Sequence, residues 1–269
     1  MKVSLETIQD AEFWGKAGVR LPRYDVAAMR KATREAPIWV HFGAGNIFRA
    51  FIAVLQQRLL DEGLSDRGII AADTFDVDNI RMIYGGYDNL TMCVTLNADA
   101  TIDKEIVASV AEALVAQPGE KADYERLKEA FAAPSLQMIS FTITEKGYAL
   151  RQIDGNYLKI VAEDLENGPE KARHAMTIVT ALLYHRYQQG KAPLAVVSMD
   201  NCSHNGEKLQ GSILEVARVW QQNGFVPAGF TAWLNDETQV SFPWSMIDKI
   251  TPRPAPEVRR MLEESGIED

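Results

Sequence analysis

Trp39-Val40-His41-Phe42-Gly43-Ala44-Gly45-Asn46-Ile47-Phe48-Arg49 carries a short apolar run into a helical stripe across two glycines. The run from Ile38 to Phe42, opened by Pro37, reads as a buried strand. Beyond the glycines, Ile47, Phe51, Val54, Leu55 and Leu59 recur at helical spacing until Gly63 closes the helix. At such a turn the first glycine permits the tight bend, and the second lets backbone amides approach a pyrophosphate at the helix N-terminus. Gly43, Ala44, Gly45, Asn46, Ile47, Phe48 and Arg49 are therefore the expected dinucleotide-binding loop. Phe48 stands where the fingerprint has glycine or alanine, and Gly-x-Gly also occurs in methyltransferases and ordinary tight turns, so context must carry the reading. Arg49 either reaches a phosphate or is a solvated helix residue. His41 and Phe42 read as structural residues at the strand end.

The context is a second strand, Gly68 to Ala72, stopping at Asp73. An acid there accepts the ribose hydroxyls of an adenosine half and opposes a 2′-phosphate, which favours NAD over NADP. Two alternatives stay open: Asp73 caps the turn before Asp76-Val77-Asp78, or Asp76 takes the ribose. Further on, Gly85, Gly86, Asp88 and Asn89 lead into Thr91 to Leu96, a strand or hairpin inserted into the basic fold. Ile102, Ile106, Val107, Val110 and Leu114 read as a helical stripe, and Tyr124, Leu127 and Phe131 as a shorter one. Leu136 to Thr144 reads as a strand. Pro169 suits the first turn of a helix carrying Ala175, Met176, Val179, Leu182, Leu183 and Tyr187 and ending near Gly190. Strand Leu194 to Met199 and helix Glu207 to Gln222 follow, the latter with Leu209, Ile213, Val216, Ala217 and Trp220 inward. This alternation predicts an α/β fold, Rossmann-type and doubly wound, whose mostly parallel sheet carries a small antiparallel insertion. Residues 1–36 are expected as an N-terminal extension packing on a nucleotide-binding domain of residues 37–269; neither repeat nor linker divides the chain.

With 28 Lys and Arg against 37 Asp and Glu, a net charge of -9 leaves no extended basic surface for a phosphate backbone, so nucleic acid is excluded as a partner. Cys93 and Cys202 form neither a CxxC nor a Cys/His cluster, which argues against a disulfide framework and a metal site. No apolar run reaches the ~20 residues that cross a bilayer, so no membrane is expected. Met1 to Asp10 lacks the basic-then-apolar layout of a signal peptide. A cytoplasmic setting fits these features.

Four segments in order, His41-Phe-Gly-Ala-Gly-Asn-Ile-Phe-Arg49, Phe141-Thr-Ile-Thr-Glu-Lys-Gly-Tyr148, Ser198-Met-Asp-Asn-Cys-Ser-His-Asn-Gly206 and Phe242-Pro-Trp-Ser-Met-Ile-Asp-Lys-Ile-Thr-Pro252, are similar to the motifs of the mannitol dehydrogenase family. This polyol-specific group of long-chain dehydrogenases includes fructuronate and tagaturonate reductases and mannitol 2-dehydrogenase, and the resemblance runs from about Ile38 onward. By their own chemistry, Thr144, Glu145 and Lys146 follow a strand and face the crevice, or are a plain polar loop with a weak surface pair. Asn201 ends a strand and presents an amide donor to a carbonyl or alkoxide oxygen. His204, at a helix start, reads as a capping or surface residue. Asp248 reads as an ordinary helix or turn charge at a domain edge.

The resemblance implies more. Thr144, Glu145, Lys146 and Asp200 would serve the coenzyme, Asn201 would be half of an oxyanion-stabilising pair, and Ile247, Asp248 and Lys249 would line the substrate pocket. The family pattern has Val-Asp-Arg at the last three and an Asn-type residue at Trp244; lysine keeps arginine's charge without its planar fork. The implied activity is NAD-dependent hydride transfer between nicotinamide and a secondary alcohol or ketone of a polyol or sugar acid, as in D-mannonate/D-fructuronate or D-mannitol/D-fructose. The general base would be a lysine of a Lys-x-x-x-x-Asn-x-x-His motif in a C-terminal helical domain. That string does not occur here, so this chain is expected to lack the domain and to be inactive alone. The rival reading is a non-catalytic nucleotide-binding module acting with a partner chain. A methyltransferase would leave Asn201 and the Ile247-Asp248-Lys249 segment without a role.

Overall fold

The computed structural model describes residues 1–252 and 255–268. Before the glycine loop come helix α1 (Ala11–Lys16), strand β1 (Val19–Arg20) and helix α2 (Val26–Glu35), whose start is capped by Asp25 accepting from the Ala28 amide. Strand β2 (Trp39–Phe42) feeds a π-helical turn (Phe48–Ile52) and helix α3 (Ala53–Asp61), and β3 (Ile69–Asp73) follows. Next are a second π-helical turn (Asn79–Tyr84) and strands β4 (Thr91–Leu96), β5 (Ile102–Val107) and β6 (Val110–Val115). Helix α4 (Lys121–Ala132), strand β7 (Met138–Phe141) and helices α5 (Thr144–Tyr148), α6 (Lys159–Asn167) and α7 (Ala175–Gln188) come after. The chain continues through β8 (Leu194–Ser198), α8 (Asn205–Gln222), α9 (Ala228–Asn235), β9 (Val240–Ser241) and α10 (Pro256–Glu264).

Six strands form one parallel sheet in the order β6-β3-β2-β7-β8-β9. The chain winds outward from β2 to β6, then returns to lay β7 on the other side of β2, with Trp39 opposite Met138 and Phe42 opposite Phe141. This is the Rossmann arrangement, and the order reverses between β2 and β7. Loops leaving those two strands must part in opposite directions, which opens a crevice at their carboxyl ends. The expected insertion is also present: β4 and β5 pair antiparallel, and β1 joins β5 to complete a separate three-stranded sheet.

The core divides at the sheet. On one face Phe42, Phe131, Phe141, Leu182, Leu209 and Trp220 pack with helices α4, α7 and α8. On the other, Phe48, Ile52 and Val54 meet Ile69, Ala71, Val107 and Val110. A third cluster joins Val3, Ile8, Trp14 and Val19 to Ile106, Leu262 and Ile267, so the first residues and α10 pack together against the small sheet. The guanidinium of Arg186 is buried without a counter-charge among the described residues, and burial lowers its pKa to about 10. It donates to the carbonyls of Phe131, Ala133, Leu136, Ala192 and Pro193, which ties the connections entering β7 and β8.

Two sequence expectations are corrected. The stripe Ile102, Ile106, Val110, Leu114 is not a helix but parts of β5 and β6. Its spacing of four is a multiple of two, so it satisfies strand periodicity equally well. β-branched side chains together with pairing to β4 and β3 decide for strands. Pro169 opens a separate 3-10 turn, Pro169–Lys171, and not the long helix. That helix begins at Ala175, because the buried Asp164 carboxylate gathers the Arg173 and His174 amides and the Thr177 hydroxyl, while the His174 ring accepts from the Met176 amide.

Candidate active site

The glycine loop is held from beneath by a one-way hydrogen-bond chain. The Trp39 indole donates to Ser140 Oγ (2.7 Å), which bonds His41 Nδ1 (2.7 Å); His41 Nε2 bonds Thr142 Oγ1 (2.9 Å), which donates to the Gly43 carbonyl (3.0 Å). Because Thr142 spends its proton on Gly43, His41 donates from Nε2, and burial keeps the ring neutral, which leaves Nδ1 to accept from Ser140. Burial lowers its pKa from 6.5 to about 3. The unfolded chain therefore takes up a proton below pH 6.5 that the folded chain refuses, and stability falls as pH drops through the window from 6.5 to 3. One such group contributes a slope of about 1.4 kcal/mol per pH unit. His41→Gln is expected to flatten the acid limb of denaturant-derived stability by that one-proton slope; an unaltered limb would assign the proton elsewhere.

Above this chain the loop is pinned at Ala44. Its amide donates to Asp73 Oδ2 (3.2 Å), and its carbonyl accepts from Tyr84 Oη (2.8 Å) and Asn79 Nδ2 (3.0 Å). Gly43 has φ +99°, and a Cβ there would stand 2.2 Å from the Thr142 carbonyl oxygen; a Cβ on Gly45 would meet nothing within 4 Å. The first glycine serves the fold, and the second faces open space. The chain turns helical at Asn46, leaving first-turn amides without helical partners. Arg49 reaches back to Asn46 Oδ1, while its buried Nε has no partner among the described residues. Asp73 also accepts from the Phe75 and Asp76 amides (both 2.9 Å), so it both caps the turn and touches the loop. Asp76 instead accepts from the Asn79 amide, at the start of the helical turn that follows.

Across the crevice the ends of β7 and β8 are joined by Asp200. Its carboxylate accepts from the amides of Ile143 (2.9 Å) and Thr144 (3.0 Å) and from Tyr148 Oη (2.6 Å), and Tyr148 also bonds Ser198 Oγ (2.8 Å). Burial, followed by the charge of Asp200, drives the Tyr148 pKa upward, so this phenol is a fixed donor. Thr144 sits at φ +65°, a conformation costly for a β-branched residue, held by these bonds. Glu145 pairs with Lys208 on α8, and Lys146 is exposed. Asn201 is exposed one residue beyond this anchor, and its side chain has no hydrogen bond among the described residues. His204 stands at the start of α8 with φ 55°, yet its side chain caps nothing. It stacks on Trp244 at 4.4 Å and bonds Glu207.

The segment from Phe242 to Pro252 has no regular secondary structure. It starts at the end of β9, is bonded through Ser245 to Asn205 and Ser198, and carries Lys249 to within 5.7 Å of the Phe51 ring centre, on the helix behind the glycine loop. The segment thus passes from the β8–β9 side to the β2 side. Asp248 is exposed and Ile247 half-buried. The structure brings the loop residues and Asp73 to one side of the carboxyl end of the sheet and Thr144, Asp200 and Asn201 to the other, whereas Lys249 lies beside Phe51 and near Cys93 of the small sheet. Sequence reasoning assigned no role to Tyr84, Asn79, Tyr148 or Asn205. Tyr148 and Asn205 lay inside the quoted motifs, but nothing in a one-dimensional pattern marks them as bridges between loops.

A family model described as the mannitol dehydrogenase Rossmann domain matches residues 37–268. The chain is 47% identical over 268 residues to a D-mannonate oxidoreductase of Thermotoga maritima, covering 100% of this chain and 49% of that protein. It is 31% identical over 257 residues to a mannitol 2-dehydrogenase of Cereibacter sphaeroides, covering 93% of this chain and 49% of that protein. Its structure resembles that of Pseudomonas fluorescens mannitol 2-dehydrogenase in a ternary complex with NAD and D-mannitol, with a TM-score of 0.80 and 25% identity over 99% of this chain and 51% of that one. The chain thus spans about half the length of the relatives it matches. No helix among the described residues is long and apolar enough to cross a membrane.

Proposed function

This chain belongs to the mannitol dehydrogenase family, and from that premise we propose that it is the coenzyme-binding half of an NAD-dependent dehydrogenase acting on a secondary alcohol of an open-chain polyol or sugar acid. The observation that carries the proposal is the placement of the glycine loop and the Asp200-Asn201 loop on opposite sides of the point where strand order reverses. A dinucleotide fits the residues present: Gly45 opens onto free space, the first-turn amides suit a pyrophosphate, and Asp73 stands at the strand end where a ribose needs an acceptor. NAD, when bound, supplies the hydride acceptor, and its reduced form the donor.

The protein's own residues would do the rest. Gly45, Asn46 and Ile47 would receive the diphosphate and Asp73 the adenosine ribose. Thr144, held by Asp200, would shape the nicotinamide side. The Asn201 carboxamide would donate to the substrate oxygen as charge develops on it. Ile247, Asp248 and Lys249 would form one wall of the substrate pocket. No residue of this chain is assigned as general base: Lys146 and Lys208 flank the coenzyme side, and His204 is engaged with Trp244 and Glu207. Twice-length relatives such as the D-mannonate oxidoreductase of Thermotoga maritima support assigning that role to a second, helical domain.

Coenzyme titration tests the reading. NADH is expected to bind at least about tenfold more tightly than NADPH, because a 2′-phosphate would face the Asp73 carboxylate. Asp73→Asn, which removes the charge and keeps one of the two acceptor oxygens, so that it retains either the Ala44 amide or the Phe75 and Asp76 amides, should narrow that gap, and Asp76→Asn should leave it intact. Equal affinities for the two coenzymes would defeat the assignment. The reverse pattern in the variants would move the ribose to Asp76.

A further inference from the structure

We infer that Asn205 is a positioning residue, the joint that locks the Phe242–Pro252 segment onto the loop carrying Asn201. It rests on the proposed reading of Ile247, Asp248 and Lys249 as a pocket wall. The Asn205 side chain is buried, with 1% of its surface exposed, and its carboxamide is fully committed. Oδ1 accepts from the Gly206 amide (2.8 Å) and the Ser245 amide (3.1 Å). Nδ2 faces the carbonyls of Ser198 (3.3 Å), Asp200 (3.2 Å) and Ser245 (3.1 Å) and Ser245 Oγ (2.9 Å). Two backbone donors on one side and three carbonyl acceptors on the other admit only one orientation of the amide. Ser245 Oγ in turn donates to the Ser198 carbonyl.

One side chain therefore ties three pieces of backbone that converge from separate parts of the chain: the end of β8, the turn holding Asp200 and Asn201, and the segment that reaches Ile247 two residues beyond Ser245. Gly206 reinforces the joint. A Cβ there would lie 2.6 Å from the Phe242 carbonyl oxygen and 2.8 Å from Trp244 Cδ1, so the segment lies directly on the helix start. The Asn201 side chain is exposed and unbonded among the described residues, so its distance from the 247–249 wall is set by this joint acting with the Asp200 anchor and the His204–Trp244 stack.

Two measurements on Asn205→Ala test the inference. In this chain, hydrogen exchange at the Ser245 amide should quicken about tenfold, the equivalent of one lost hydrogen bond. In the protein carrying both halves, kcat/KM for the polyol or sugar acid should fall about tenfold or more through misplacement, with NADH affinity held. If Asn205→Ala does not fold, Gly206→Ala and Ser245→Ala attack the joint from the other side and should show the same two changes. Unchanged exchange at Ser245 in a folded variant overturns the joint itself. Faster exchange with unchanged kcat/KM overturns the positioning role, and locates the failure in the pocket reading of residues 247–249, not in the joint.

Discussion

Asn201→Ala is expected to lower kcat by about 10²-fold or more in the protein carrying both halves, as loss of one oxyanion donor does, with NADH affinity unchanged. The Asp200 carboxylate is fixed by two amides and a phenol, and Asn205 donates to the backbone carbonyl of Asp200 itself. The Asn201 carboxamide projects from this rigid turn without an internal partner among the described residues, so its donor is free for a ligand and needs no rearrangement to serve one. Removing an exposed side chain with no internal bond should also leave stability within about 0.5 kcal/mol, which separates a catalytic loss from a folding one. Steady-state kinetics beside a fluorescence titration of NADH decides the matter. Lost NADH binding with normal turnover at saturation would make Asn201 a coenzyme contact and remove it from the oxyanion role.

The two loop glycines should fail in different ways. Gly43→Ala is expected to cost about 2–5 kcal/mol of stability, adding the strain of a left-handed backbone to an overlap that nothing relieves. The Cβ would press on the Thr142 backbone, and neither strand can yield, because the Thr142 amide donates to the Phe42 carbonyl and the Gly43 amide to that of Ala72. Gly45→Ala meets no atom and has no such backbone demand, so its stability should match that of the unaltered chain. Its methyl would occupy the space a diphosphate needs, and NADH affinity should fall at least about tenfold. Chemical denaturation and coenzyme titration on the same pair of variants give the answer. Normal NADH binding by Gly45→Ala would remove the diphosphate from this loop.

Much of the fold was legible because it depends on local pattern. A strand broken by Gly43 and Gly45 and followed by a helical stripe is specified by glycine conformation and side-chain periodicity, both properties of neighbouring residues. So were the second strand ending at Asp73 and the alternation that yields a parallel sheet. The misreading of Ile102 to Leu114 shows the limit of that logic. A four-residue spacing suits helix and strand alike, and pairing with β3 and β4, distant in sequence, made the choice.

The candidate site divides along the same line. Gly45, Asp73 and Asn201 could be named from the sequence because each sits at a strand end, where an α/β sheet places its ligands. Only the tertiary structure decided that Asp73 grips the Ala44 amide, that His41 is a neutral link beneath the loop, and that Tyr148 and Asn205 hold two loops in register. These are contacts between polar groups far apart along the chain and close in space. A hydrogen bond of this kind leaves no periodicity behind it, since it depends on a distance of about 3 Å that folding alone creates.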